Sequence, residues 1–168
     1  MPDVHFSATF DFITTNIGEA SLVAVTGGTG FIGRRLVGRL IAEGHSVRVL
    51  TRRIPANSDK LAPIEYYQGD LTSDQVNLEQ LLSGVEVLYH CAAEINDSEK
   101  MHATNVGGTI NLARAAKKTI RHWVQLSTVD EYGTHVHGVI TEKKTPISPV
   151  NAYEKVKLRQ TPQLSMRH

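Results

Sequence analysis

The sequence predicts an α/β fold in which helices cover both faces of a doubly wound parallel sheet. Three observations lead to this prediction. From Leu22 onward, short apolar segments of strand length alternate with longer segments of helical periodicity. The first apolar segment runs directly into a glycine-rich turn that opens a helix. The chain has 168 residues, 40% of them hydrophobic, which suits one domain with an ordinary core.

The first half of this domain begins with the buried strand "SLVAVT". A helix follows and ends before Gly44, with apolar residues at helical spacing: Ile32, Leu36, Val37, Leu40 and Ile41. Two further strands are predicted, "HSVRVLT" and "IEYYQGD". The alternation of strand and helix is typical of βαβ units.

The second half repeats this rhythm. "DQVNLEQLLSG" predicts a short helix with Asp74 as its cap, and "VEVLYHCAA" a fourth strand. A long helix from about Met101 to Lys118 precedes the fifth strand, "HWVQLST". Right-handed crossovers then give a Rossmann-type sheet with strand order near 3-2-1-4-5.

The glycine-rich turn fits the pattern of a dinucleotide-binding loop. Gly28-x-Gly30-x-x-Gly33 overlaps with Gly27-x-x-Gly30-x-x-Gly33, directly between a predicted strand and a predicted helix. Glycines there permit a tight turn and let a pyrophosphate approach the helix amides. The alternative is a turn that serves only helix–strand packing. The expected cofactor contacts in this segment are Gly27, Gly30, Phe31, Ile32, Gly33 and Arg34.

The end of the second strand discriminates between the two nicotinamide dinucleotides. An acidic residue there would bind the free 2′-hydroxyl of NAD, but the chain has Thr51-Arg52-Arg53. Two guanidinium groups favour a 2′-phosphate, and Arg34 could add a third charge. We therefore expect NADP, with NAD as the less favoured cofactor. The alternative is a solvated cluster of surface arginines.

A candidate acid/base pair lies near the C-terminus, in "NAYEKVKL". Tyr153 and Lys157 are four residues apart and share one face if the segment is helical. A phenol is a poor acid or base at neutral pH, but a nearby ammonium favours its ionised form. Thr128 ends the fifth predicted strand, where its hydroxyl could bind a substrate oxygen.

Taken in order, these motifs resemble the extended short-chain dehydrogenase/reductases, also called the NAD(P)-dependent epimerase/dehydratase family. The resemblance rests on "TGGTGFIG", "GDL", "HCAA", "NVGGT", "LSTVDEYG" and Tyr153-x-x-x-Lys157. It implies that Asp70 and Leu71 lie beside the adenine and that Ala92 and Ala93 line the cofactor. It also implies catalytic roles for Thr128, for Tyr153 as the acid/base and for Lys157, which would also hold the nicotinamide ribose. Asn105 would be structural.

Two departures from the family pattern narrow the expected function. Val129 separates Thr128 from the acidic pair that dehydratases place directly after it, and the arginines resemble the carbonyl- and steroid-type reductase branches. We therefore expect an oxidoreductase that transfers hydride to a carbonyl or from an alcohol. The alternatives are an inactive dinucleotide-binding module or fragment, and a sugar-nucleotide epimerase. Residues 1–20 are expected to form an N-terminal arm, and 21–168 a domain truncated after the tyrosine helix, without the substrate lobe.

Composition excludes several other classes of function. Eighteen basic and seventeen acidic residues leave a charge of +1, which gives no general attraction for nucleic acid or a membrane surface. We expect no metal site. A small-molecule substrate is expected instead, either a carbonyl compound or a nucleotide sugar, and a homodimer is compatible with the sequence. One cysteine and no signal-peptide pattern favour the cytoplasm.

Overall fold

In a computed structural model, residues 20–56, 64–116, 120–128 and 151–160 are described, and for residues 158–160 only the backbone is described. The expected N-terminal arm therefore lies outside the described residues, except for Ala20. The described residues contain five strands: β1 (Leu22–Thr26), β2 (Ser46–Thr51), β3 (Ile64–Gln68), β4 (Val87–His90) and β5 (His122–Gln125). Five α-helices accompany them: α1 (Phe31–Ala42), α2 (Leu78–Leu82), α3 (Ser98–Met101), α4 (Gly108–Ala115) and α5 (Ala152–Gln160).

The strands form a parallel sheet in the order β3-β2-β1-β4-β5, which confirms the predicted topology. The register brings the carboxyl ends of the three central strands together, with Thr26 opposite Leu50 on one side and His90 on the other. Because β1 is followed by α1 and the order reverses between β1 and β4, a crevice opens at this edge of the sheet.

The core has two layers, one on each face of the sheet. Alternate residues of each strand point to opposite faces. On one face, Val23, Val25 and Val47 pack with the apolar side of α1. On the other, Ala24 and Leu88 pack with α2 and α4, where Leu81 and Leu112 are fully buried. Both faces of the central strands are thus covered, as in doubly wound folds.

Two local expectations are wrong. The cap of α2 is Asn77, whose Oδ1 accepts a hydrogen bond from the Gln80 amide at 2.9 Å, and not Asp74. The helix expected from Met101 begins earlier, at Ser98, where the Asp97 side chain caps it. It also includes a π-helical turn, His102–Gly107, between α3 and α4.

Glycine ends α1 as predicted, since Gly44 adopts a φ of +88° that favours glycine. In the described part of the chain, no helix is long and apolar enough to cross a membrane.

Candidate active site

A cleft of about 610 Å³ opens at the carboxyl ends of the central strands. Eight of the predicted cofactor-binding residues line it: Gly27, Gly30, Arg52, Arg53, Asp70, Leu71, Ala92 and Ala93. They come from four separate segments of the chain, which the parallel sheet brings to one edge. The fold therefore joins at one cleft the glycine turn and the basic segment that the sequence placed apart.

The glycines of the turn serve different purposes. A Cβ on Gly33 would lie 2.1 Å from the Gly27 carbonyl oxygen, and a Cβ on Gly27 would lie 2.7 Å from the Ala92 amide nitrogen. These two positions are closed by the protein's own backbone. At Gly30, by contrast, the nearest described atom would be the Gly27 oxygen at 3.2 Å. Gly30 instead lines the cleft, so a side chain there would project toward the ligand and not into the protein backbone.

Helix α1 begins directly at the cleft. Gly30 is its N-cap residue and provides no side-chain oxygen for the first turn. The first amides of a helix have no carbonyl partner within the helix, and they carry the positive end of its dipole. A pyrophosphate next to Gly30 would meet these amides, which is the arrangement seen in anion-binding turns.

The basic segment after β2 is exposed and folded back on itself. The Thr51 hydroxyl donates to the Arg53 carbonyl oxygen at 2.9 Å, and the Gln68 amide donates to that of Arg52 at 3.4 Å. Both arginines are therefore presented at the mouth of the cleft with their backbone held.

Two carboxylates share this end of the cleft. Hydrogen bonds from Thr72, and to a lesser extent the charge of Arg52, hold the pKa of Asp70 below its usual value. Hydrogen bonds from the amides of Asn96, Asp97 and Ile95, and again the Arg52 charge, lower that of Glu94. Arg52 thus lies within the electrostatic reach of both carboxylates.

The loop that follows β4 forms the cleft wall next to the glycine turn, since a Cβ on Gly27 would lie 2.7 Å from the Ala92 amide nitrogen. Asn105, fully buried in the π-helical turn, accepts from the Glu94 amide at 2.7 Å and donates to the Glu94 carbonyl at 2.9 Å. The neighbouring Thr104 lines the cleft. The structural role expected of Asn105 agrees with this clamp.

Several residues of the cleft were not among the sequence candidates. Thr26, Cys91, Glu94 and Thr104 line it. Thr26, Cys91 and Glu94 lie at the end of a strand or shortly after it, where ligands collect in such folds, whereas Thr104 lies in the π-helical turn and carries no such signal. Burial raises the pKa of the Cys91 thiol, and the charge of Lys157 opposes this shift.

Helix α5 carries the candidate acid/base pair. Asn151 and Glu154 cap its first turn reciprocally: Asn151 Oδ1 accepts from the Glu154 amide at 2.9 Å, and the Glu154 carboxylate accepts from the Asn151 amide at 3.2 Å. Lys157 is 2% exposed, and its Nζ donates to the Leu126 carbonyl oxygen at 3.0 Å. The same Nζ is 5.8 Å from the centroid of the Tyr153 ring.

The predicted residues thus separate into two groups. Within the described part of the chain, the lining of the cleft does not include Phe31, Ile32, Gly33 or Arg34, nor the candidates Thr128, Tyr153 and Lys157. Phe31 is 66% exposed, and the guanidinium carbon of Arg34 is 5.9 Å from its ring centroid. Lys157 connects the two groups, because its charge reaches Cys91 in the cleft wall.

Among the described residues, no cluster of three or more histidine, cysteine, aspartate or glutamate side chains could hold a metal ion.

Comparisons with known proteins agree with this architecture. The sequence profile of the NAD dependent epimerase/dehydratase family matches residues 23–164. The dTDP-6-deoxy-L-talose 4-dehydrogenase (NAD(P)(+)) of Kitasatospora kifunensis is 39% identical over 147 residues, which are 83% of this chain and 45% of that protein. The UDP-glucose 4-epimerase of Lactobacillus helveticus is 30% identical over 146 residues, 81% of this chain and 44% of that protein.

Solved structures of other proteins share this fold. The Bordetella bronchiseptica enzyme WbmG, in complex with NAD and UDP, superposes with a TM-score of 0.76 at 25% identity, covering 88% of this chain and 50% of that one. The chain spans about half the length of the relatives it matches.

Proposed function

Because the chain belongs to the NAD-dependent epimerase/dehydratase family, we propose that its cleft binds NADP and that the protein is an oxidoreductase acting on a carbonyl compound or a nucleotide sugar. The observation that carries this proposal is the cleft itself, in which the glycine turn, the start of α1 and Arg52–Arg53 face one space of about 610 Å³. WbmG, whose solved structure contains NAD and UDP, shares this fold, which supports a dinucleotide as the ligand of the cleft.

The residues present fit such a cofactor. The space beyond Gly30 accepts a pyrophosphate where a side chain would obstruct it. Arg52 and Arg53 supply fork-shaped donors for a 2′-phosphate, while Asp70 and Leu71 line the same cleft as candidates to contact the adenine. The bound nicotinamide would supply the hydride. The chain's own residues would bind and orient the cofactor and the substrate, and would move the proton.

Lys157 and Tyr153 are proposed to handle this proton. A phenolic hydroxyl that donates its proton to a carbonyl oxygen becomes a phenolate, and a nearby ammonium favours that charged form. The Leu126 carbonyl holds the Lys157 ammonium 5.8 Å from the centre of the Tyr153 ring. Thr128, two residues beyond Leu126, is proposed to bind the substrate oxygen.

An NAD(P)-dependent sugar-nucleotide epimerase is the second candidate, favoured by the similarity to the UDP-glucose 4-epimerase of Lactobacillus helveticus. Epimerisation and reduction would use the same acid/base pair and differ in whether the hydride returns to the same substrate. The single cysteine also leads us to propose a cytoplasmic location.

Titration with the two cofactors tests the proposal. We expect NADPH to bind at least about tenfold more tightly than NADH, since a charge-assisted contact is worth about 1.5 to 3 kcal/mol. Arg52→Ala should abolish this preference without weakening NADH. Arg121→Ala serves as the control, because Arg121 is an exposed arginine just before β5. This variant should bind both cofactors as the wild type does. Equal affinities for NADPH and NADH in the wild type would refute the NADP assignment, and no binding of either would refute the site.

A further inference from the structure

A hydrogen-bond network of fully buried polar residues runs beneath the cleft. It consists of Thr26 at the end of β1, His90 at the end of β4, and Thr109 and Asn105 in the helix that packs on them, and all four are 0% exposed. Thr26 Oγ1 is 2.5 Å from His90 Nδ1, and His90 Nε2 is 2.9 Å from Thr109 Oγ1. Both nitrogens of one imidazole are therefore engaged by hydroxyl groups.

The donors and acceptors of this network can be assigned in one consistent way. Thr109 Oγ1 is 2.6 Å from the backbone carbonyl oxygen of Asn105, which can accept but not donate, so the Thr109 hydroxyl donates to it. The proton between Thr109 and the imidazole must then come from His90 Nε2. His90 Nδ1 is left without a proton and accepts from the Thr26 hydroxyl. Thr26 Oγ1 in turn accepts from the Ala92 amide at 3.3 Å.

Both ends of the network reach the wall of the cleft. At one end, Thr26 holds the wall twice, through the Ala92 amide and through its carbonyl oxygen, which accepts from the Cys91 amide at 3.1 Å. At the other end, the Asn105 side chain clamps the backbone of Glu94. His90 thus lies between Thr26 and Asn105, the two residues that hold the loop of residues 91–94.

The backbone of His90 extends the connection to the acid/base helix. Its carbonyl oxygen accepts from the Leu126 amide at 3.1 Å, and the Leu126 carbonyl accepts from Lys157 Nζ at 3.0 Å. The His90 side chain is therefore bonded to Thr26 and Thr109, and its backbone is bonded, through the single intervening residue Leu126, to the buried ammonium of Lys157.

We propose that His90 is a positioning residue of the cofactor site: held as the Nε2–H tautomer between Thr26 and Thr109, it fixes the wall formed by residues 91–94 and links that wall to Lys157. This rests on the proposed function, because the wall is taken to contact the cofactor. The role differs from packing, since an apolar side chain of equal volume would leave two buried hydroxyls without the partner they now have.

The charge state of the ring agrees with this role. Burial, together with the charge of Lys157, lowers the pKa of His90 to about 3. The ring is therefore neutral at physiological pH and has one proton to place, which makes the tautomer a defined structural property.

The tautomer can be measured directly. In protein labelled with ¹⁵N histidine, long-range ¹H–¹⁵N spectra at pH 7 distinguish a protonated Nε2 from a protonated Nδ1. We expect His90 to show the Nε2–H pattern alone, with and without NADPH. An Nδ1–H pattern, or a mixture of the two tautomers, would overturn the proposal whether or not any variant folds.

Paired substitutions test the positioning role. Thr109→Val removes the acceptor of the His90 proton while keeping the shape of the side chain, and Thr109→Ser keeps the hydroxyl. We expect Thr109→Val to weaken NADPH binding by about tenfold, as expected for one unsatisfied buried donor, and Thr109→Ser to stay within about twofold of the wild type. The same Val variant should also change the His90 ¹⁵N pattern, and the Ser variant should not.

Leu81→Ala is the control for general loss of stability, because Leu81 is fully buried in the core and outside the cleft lining. Binding is compared at a temperature where each variant is folded. If Thr109→Val binds NADPH as tightly as Leu81→Ala or the wild type does, the positioning role is wrong. If the wild type binds neither cofactor, the proposed function fails instead. The tautomer spectrum then still tests whether His90 has the proposed place in the hydrogen-bond network.

Discussion

Gly30→Val separates the demands of the fold from those of the ligand at the glycine turn. Gly30 has a φ of −76° and a ψ of 178°, which any L-residue adopts. The added Cβ would contact the Gly27 oxygen at 3.2 Å, a fit that requires a shift of a few tenths of an ångström. The entropy that the unfolded chain loses on replacing glycine offsets part of this cost, so we expect the free energy of unfolding to change by less than about 1 kcal/mol.

Binding should suffer far more than folding. A valine side chain at Gly30 would stand between the cleft and the first amides of α1. The loss of two charge-assisted hydrogen bonds to a pyrophosphate, each worth about 1.5 to 3 kcal/mol, amounts to at least about a hundredfold in affinity. Calorimetric titration with NADPH, together with urea unfolding of the same samples, measures both quantities.

Two other glycines provide the controls. At Gly38, on the exposed side of α1, no described atom lies within 4 Å of an added Cβ, so Gly38→Val should fold and bind as the wild type does. At Gly33 the added atom would lie 2.1 Å from a backbone oxygen, so Gly33→Ala should not fold stably. A folded Gly30→Val variant with wild-type affinity would refute the assignment of the phosphate site.

Three further predictions concern other parts of the molecule. His90 has a pKa of about 3 in the folded chain against an ordinary 6.5, so the unfolded chain takes up a proton first as the pH falls. Stability should therefore be full above pH 6.5 and fall by about 2 kcal/mol between pH 7 and pH 5, as measured by urea unfolding, and a stability that stays level over this range would contradict the buried neutral ring. Tyr153→Phe should lower kcat for carbonyl reduction by about 10² to 10⁴ in any active form of the protein while leaving the Kd for NADPH within about twofold; an unchanged kcat would remove Tyr153 from the mechanism. Asn151→Ala should cost about 1 kcal/mol of unfolding free energy through loss of the α5 cap, whereas Glu154→Gln keeps the reciprocal pair; equal stability of the two variants would contradict the capping role.

The sheet could be predicted from the sequence because its signals are local. The buried strands are short apolar runs, the glycine turn lies between β1 and α1, and right-handed crossovers leave only a few possible strand orders. Local preference fails where two residues compete for one role. Asp74 and Asn77 are both good caps, and the choice of Asn77 depends on where Leu78 must turn toward the core.

The candidate site could be predicted in part for the same reason. The residues found in the cleft lining belong to short contiguous motifs, such as Gly27–Gly30 and Ala92–Ala93, each next to a strand. The clamp of Asn105 on Glu94 and the bond of Lys157 to Leu126 join residues that are 11 and 31 positions apart. No spacing rule predicts such pairs, since they depend on how packed helices meet the sheet.

The π-helical turn at His102–Gly107 makes the length of this segment as important as its composition. It places Thr104 in the cleft lining while Asn105 and Thr109 are buried behind the wall. A turn of this kind holds one residue more than an α-helical turn, so the helices on either side keep their facing while the residues inside the turn are displaced. Removal of one residue from His102–Gly107 should therefore leave Thr109 behind the wall and shift Thr104 and Asn105 relative to it. The Asn105 clamp on Glu94 would then be lost although the helix continues, so the extra residue serves the cleft wall more than the packing of the helix.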